Sequence, residues 1–232
     1  MRLPIGGIIN SAAVALGGAS GALFGKKLSE NWKSTLMKIM GMCALVISFV
    51  YIPKLQSLPT VMLAMLAGVL IGEAIGLDKH LNKALEAILK KAKLNRGADW
   101  LAQYRVIFAL FAFSGTGIFG ILREGFTGDP SVLVTKAILD FCCAMSFAAS
   151  MGYAVSAIAA AQFTVYIILF PLATLLYPHI SQDMIANFNA VGGCIDLAIG
   201  LSILDVYKFR PVNFLPGFIL VFPLTLLFAW LF

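Results

Sequence analysis

The chain has 232 residues, of which 60% are hydrophobic and 12% charged, and its mean hydropathy is +0.93. A soluble domain carries about 25% charged residues, so the composition excludes a water-soluble globular protein and implies one embedded in a bilayer. The net charge of +6 reads as orientation in the membrane and contact with anionic lipid, not as nucleic-acid binding.

Hydrophobic blocks occur near residues 4–24, 35–52, 58–76, 104–122, 131–151, 155–177, 184–204 and 212–232. Each is close to the roughly 20 residues that span a bilayer as a helix, and the absence of water there forces backbone groups to pair within the helix. The expected fold is all-α: a polytopic transmembrane helix bundle of about eight spanning helices, forming a single integral membrane domain over 1–232. Residues 1–77 supply three crossings, 78–103 a cytoplasmic basic amphipathic linker, and 104–232 the last five crossings.

In the first crossing, Gly17, Gly21 and Gly25 recur four apart and predict a face on which a neighbouring backbone packs closely. The basic flank follows this apolar run, which reads as a retained helix and not as a cleaved leader. Asn10 lies within it and needs a partner, either another helix or a solute. The second and third crossings are plain apolar spans joined by YIPKLQSLP, with Glu73 near the end of the third, where it can snorkel to water. In the linker, Leu81, Leu85, Ile88 and Ala92 share one face opposite a basic face, the pattern of a helix lying on the inner leaflet. His80 reads as solvated.

The fourth crossing contains GTGIFG, a literal G-x-G-x-x-G. That fingerprint binds dinucleotides only between a strand and a helix. Within a span, Ser114, Thr116 and the glycines fit either close packing or a locally unwound helix facing a cavity. Residues 131–178 are too long for one crossing and predict two, turning near Gly152 to Ser156. In the first of these, Lys136 and Asp140 are four apart and able to pair. A charge at the bilayer centre costs about 2.5–3.5 kcal/mol, so the pair is either a structural ion pair or the border of a translocation path. Gln162 and Asp196 add polar groups to the next two crossings, and Pro171 and Pro223 are positioned to kink the sixth and eighth.

An outside N-terminus places 13 of the 17 basic residues on the inner side, four in the first loop, seven in the third and two in the seventh, in accord with the positive-inside pattern. Both termini are then outside. By helical rise, Asn10, Thr116, Asp140, Gln162 and Asp196 fall in one middle layer, and Asp140 is expected to share a cavity with at least two of Asn10, Thr116 and Gln162. A weak similarity of 40–52 to 191–204, aligning Gly41 with Gly192 and Cys43 with Cys194, is either the trace of an inverted repeat of helices 1–3 and 6–8 or chance likeness between apolar helices. The four cysteines, Cys43, Cys142, Cys143 and Cys194, have no metal-ligand spacing and read as small apolar packers.

The segments GGIINSAAVALGGASGALFGKKL, GILREGFTGDPSVLVTKAILD, MGYAVSAIAAAQF and GLSILDVYKFRPVNFLPGF resemble the bacterial inner-membrane family that includes YqgA and YdfK, over nearly the whole chain. The resemblance implies the bacterial plasma membrane and a transport role, without a substrate. Lys136, Asp140, Gln162 and Asn10 fall where the family pattern has matching polar residues, whereas Asp196 falls where it has an apolar one.

These features point to a secondary transporter or permease of a small polar solute or ion. Asp140 and Lys136 would be the charge partners, Gln162, Asn10 and Thr116 neutral ligands, and Asp196 a further candidate. The alternative is a membrane scaffold or regulatory protein whose polar layer specifies helix packing. No catalytic motif, metal site or cofactor is expected. The partners are the lipid bilayer, anionic lipid at the cytoplasmic face and an unidentified solute, with self-association left open.

Overall fold

The structure, a computed structural model, describes residues 3–24, 29–91, 97–207 and 210–231. It is an all-α helix bundle with no strand among these residues. The helices are α1 (Ile5–Phe24), α2 (Glu30–Tyr51), α3 (Leu58–Ala74), α4 (Leu77–Lys91), α5 (Ala98–Ala112), α6 (Gly115–Thr127), α7 (Ser131–Met151), α8 (Ala154–Leu176), α9 (Gln182–Ile203) and α10 (Pro216–Leu231), with short 3₁₀ turns before α3, after α8 and before α10.

Local sequence sets the boundaries. Ser29, Ser57, Ser114 and Ser181 each precede a helix and accept a hydrogen bond from the backbone amide three residues on, which satisfies a donor that the first turn otherwise leaves unpaired. Gly128 ends α6 at φ 77° and Gly152 ends α7 at φ 69°, a backbone region that glycine enters without a Cβ penalty. Residues 131–178 form two helices that turn at Gly152 and Tyr153. Both α8 and α10 continue through their internal prolines, Pro171 and Pro223.

Six stretches among the described residues are long and apolar enough to cross a membrane: 5–24, 103–127, 131–151, 154–179, 182–203 and 212–231. The other two expected crossings correspond to α2 and to the shorter apolar α3, whose 17 residues lie at the lower limit for spanning. The fourth crossing is not one continuous helix. It breaks at Phe113 and Ser114, between α5 and α6. In the linker, α4 occupies 77–91 and is tied to α5 by an ion pair between Glu86 and Arg105. Ala92, Gly25 and the side chains of Leu85 and Ile88, on which the expected stripes partly rest, lie outside the described residues.

Small residues determine how the helices meet. A Cβ on Gly17 would sit 2.3 Å from the Phe141 carbonyl oxygen, and one on Gly21 2.1 Å from that of Met145, so α1 lies directly on the α7 backbone and runs parallel to it. Gly7 faces Tyr166 and Gly18 faces Ser156, which makes α1 antiparallel to α8. Likewise Gly41 faces Ile203 and Leu204 while Gly193 faces Ser48, and Gly68 faces Gly217 while Gly72 faces Asn213. Thus α1, α2 and α3 pack antiparallel on α8, α9 and α10 respectively.

One apolar cluster joins α2, α3, α6, α9 and α10 around Phe119, Phe126, Phe188 and Phe218. A second joins α1, α2, α5, α7 and α8 around Val14, Phe111, Ala144 and Ile158. The central helix is α9, while α3, α8 and α10 expose Leu66, Leu70, Leu175, Ile219 and Trp230, an outward apolar surface suited to acyl chains.

Candidate functional site

On α7, Lys136 and Asp140 lie one helical turn apart and form an ion pair, with 3% and 0% of their surface exposed. The Lys136 ammonium is also 5.9 Å from the Phe111 ring centroid. Burial of such a pair is tolerable only when its remaining polar atoms find partners, and α1 and α8 supply them. Asn10 Nδ2 donates to Asp140 Oδ2 at 2.8 Å, and Gln162 Nε2 reaches the same oxygen at 3.5 Å. Gln162 Nε2 donates to Asn10 Oδ1 at 2.7 Å, and Tyr166 Oη donates to that oxygen at 2.8 Å. Asn10, Gln162 and Tyr166 are all at most 1% exposed. The close approach of α1 to α7 that Gly17 and Gly21 permit is what brings the short Asn10 side chain within reach of Asp140.

A second cluster spans α6 and α9, where Thr116 Oγ1 donates to Asp196 Oδ1. Thr116 is in the first turn of α6, directly after the break. Gly115 and Gly117 fit there because a Cβ would meet Ile195 at 2.2 Å and the Tyr166 hydroxyl at 2.7 Å. Close packing therefore occurs in GTGIFG itself, which is helical, while the unwinding lies just before it at Phe113 and Ser114. The break leaves the end of α5 and the start of α6 with backbone groups that no helix interior satisfies. One of them, the Gly117 amide, donates to Ser114 Oγ at 3.0 Å.

The two clusters border one cavity of about 20 Å³, lined by Ser114, Thr116, Lys136 and Asp140 and by aliphatic side chains including Met40, Ile47, Leu139 and Ile199. That volume has room for about one water. Of the residues expected to share a cavity with Asp140, only Thr116 does so. Asn10 and Gln162 reach Asp140 through hydrogen bonds without lining the cavity, and Asp196 meets it through Thr116. Asp140 Oδ1, Asp196 Oδ2 and Gln162 Oε1 are buried without a hydrogen-bond partner among the described residues.

Tyr166, Glu124 and Asn187 are buried polar positions that the sequence reading does not single out. Tyr166 is one turn after Gln162, a spacing that could have signalled a shared face. Glu124, just beyond the apolar block 104–122, sits within α6 at 3% exposure and accepts from the Gly6 amide at 2.9 Å, capping the start of α1. Its span ends against a charged rim: Arg123 pairs with Asp129 at 2.7 Å, and Lys54 and Arg123 both lie over the Tyr51 ring. In that loop, partial burial works to raise the Asp129 pKa, but the Ser131 amide and Arg123 outweigh it and hold the carboxyl below its ordinary value. Among residues off the middle layer, Asn187 Oδ1 accepts from the Gln56 and Ser57 amides at 2.9 and 3.0 Å. Glu73 at the other end pairs loosely with Arg210 at 3.3 Å, both well exposed.

A family model described as "Protein of unknown function (DUF554)" matches residues 5–226. The chain is 41% identical over 230 residues to "Uncharacterized protein YqgA" of Escherichia coli (strain K12), covering 97% of each chain. It is 27% identical over 220 residues to "Uncharacterized membrane protein YdfK" of Bacillus subtilis (strain 168), covering 93% of each. No solved structure matches it.

Proposed function

The chain belongs to the DUF554 family, and we propose that it is a secondary transporter of a small polar solute or ion across the bacterial plasma membrane. One observation carries this proposal: a buried Lys136–Asp140 pair, extended by Asn10, Gln162 and Tyr166, borders a cavity at the point where a membrane-spanning stretch is broken. Intramembrane charges are retained at a cost and characteristically mark solute or ion paths. Discontinuous helices near the midplane and repeats of opposite orientation are recurrent features of secondary transporters.

The cycle would work as follows. Solute enters by enlarging the small cavity and competes for the donors that now hold Asp140, and rocking of α1–α3 against α8–α10 transfers access from one face to the other. The same basic-residue distribution assigns the end carrying α4 and Arg210 to the cytoplasm, next to anionic lipid, and both termini to the outside. No enzymatic step is proposed.

A scaffold role is the competing reading, favoured by the complete burial of Asp140. Purified protein in liposomes, screened for uptake against small polar solutes and ions, separates the two. We expect uptake of at least one solute that falls at least tenfold in Asp140→Asn and Lys136→Met. Absence of any uptake, or uptake indifferent to both substitutions, would favour the scaffold.

A further inference from the structure

Two carboxylates, Asp140 and Asp196, are completely buried beside the broken span, and Lys136 is the one cation within reach among the described residues. They are not equivalent. Asp140 Oδ2 collects the Lys136 ammonium and the Asn10 amide, with Gln162 close by, the surroundings of an ionised carboxylate. Among the described residues Asp196 has the neutral Thr116 hydroxyl on Oδ1 and, like Asp140 on its Oδ1, nothing on Oδ2, so it lacks any cation or amide donor on either oxygen. A carboxylate enclosed in protein with neither a cation nor an amide donor on its oxygens is far more costly than the neutral acid in the same place. We propose that Asp196 carries an exchangeable proton, while Asp140 remains the anion paired with Lys136.

The wider surroundings fit. On α2, Tyr51 lies near enough to interact electrostatically with Asp196, and Arg123 on α6 is already engaged by Asp129. Lys136 on α7 acts on Asp196 at longer range than on Asp140, so one ammonium faces two carboxylates. Removing the Asp196 proton would leave them competing for that cation. Protonation of α9 would thereby be coupled to the grip of Asp140 on α1 and α8, as a proton-coupled transporter requires. An alkali ion is a poorer occupant, because aliphatic side chains form most of the cavity wall. Proton binding at Asp196 extends the transport proposal but does not depend on it, since the proton can be detected without turnover.

Infrared difference spectroscopy of the purified full-length protein, titrated in pH with and without sodium, provides the test. A carbonyl band of a protonated carboxylic acid should vanish on alkalinisation, be missing in Asp196→Asn and persist in Asp140→Asn at low pH, with its loss moved to lower pH because Lys136 is freed. Thr116→Val should shift the band to higher frequency, because the hydrogen bond to the carboxyl is lost, and this variant serves if Asp196→Asn does not fold. A titrating band that survives in Asp196→Asn or is unmoved by Thr116→Val would overturn the proposal. So would the absence of any such band, or a titration displaced by sodium, which would indicate an alkali-ion site.

Discussion

At the scale of single residues, stability should depend on pairing more than on charge. Removing one member of a buried ion pair strands the other at a cost of about 3–5 kcal/mol, whereas removing both is far less damaging. Asp140→Asn or Lys136→Met alone should therefore lower thermal stability in detergent more than the double substitution does. Simple addition of the two effects would mean that the contact contributes nothing. Glu124→Ala should also destabilise, by about 1.5–3 kcal/mol, the range for a hydrogen bond to a charged group, because Gly6 loses its acceptor. Such residues were unevenly legible in the sequence. Lys136, Asp140, Asn10 and Gln162 stand out because a polar group in an apolar run needs a reason. Tyr166 does not, since an aromatic ring is at home in a span, and Glu124 near the end of an apolar block reads as the start of a loop.

At the scale of elements, the glycine face of α1 makes the most specific claim. Gly17 and Gly21 leave no room for a Cβ against the Phe141 and Met145 carbonyls, so Gly17→Val or Gly21→Val must push α1 away from α7. Overpacking of this kind costs typically 1–3 kcal/mol. It would also withdraw Asn10 from Asp140, so the substitution should impair any Asp140-dependent uptake along with thermal stability. Unchanged stability and uptake would mean that the two helices are not in backbone contact. Ser114→Ala tests the break in the fourth span and should cost about 0.5–2 kcal/mol through loss of the cap. Hydropathy alone could not reveal that break, because FALFAFSGTGIF holds no proline and only Ser114, Thr116 and the glycines interrupt its apolar run. Spans are written in local composition. Which faces meet depends on contacts between residues more than 100 positions apart, such as Asn10 with Asp140, and depth along a helix does not fix its rotation.

At the scale of the whole molecule, packing establishes which helix ends lie together before any membrane is considered. The start of α1 meets Glu124 at the end of α6, Phe126 packs against Phe188 and Phe222, and Asn187 binds the turn before α3. These contacts gather the α1 start, the α6 end, the α9 start and the α10 end at one face of the bundle. Arg210 and Glu73 meet at the opposite face. The proposed orientation puts that second face, where basic residues concentrate, in the cytoplasm. In a background with Cys43, Cys142, Cys143 and Cys194 replaced, single cysteines at Ser131 and Gln182 should react with an impermeant thiol reagent applied outside intact cells. Val206, exposed in the loop before α10, should react only after the membrane is opened. Labelling of Val206→Cys from outside, with Ser131→Cys protected, would invert the molecule and place the basic helix α4 against the outer leaflet. Labelling of all three from outside would require an odd number of crossings between Gln182 and Val206 to be abandoned, and with it the spanning role of α9.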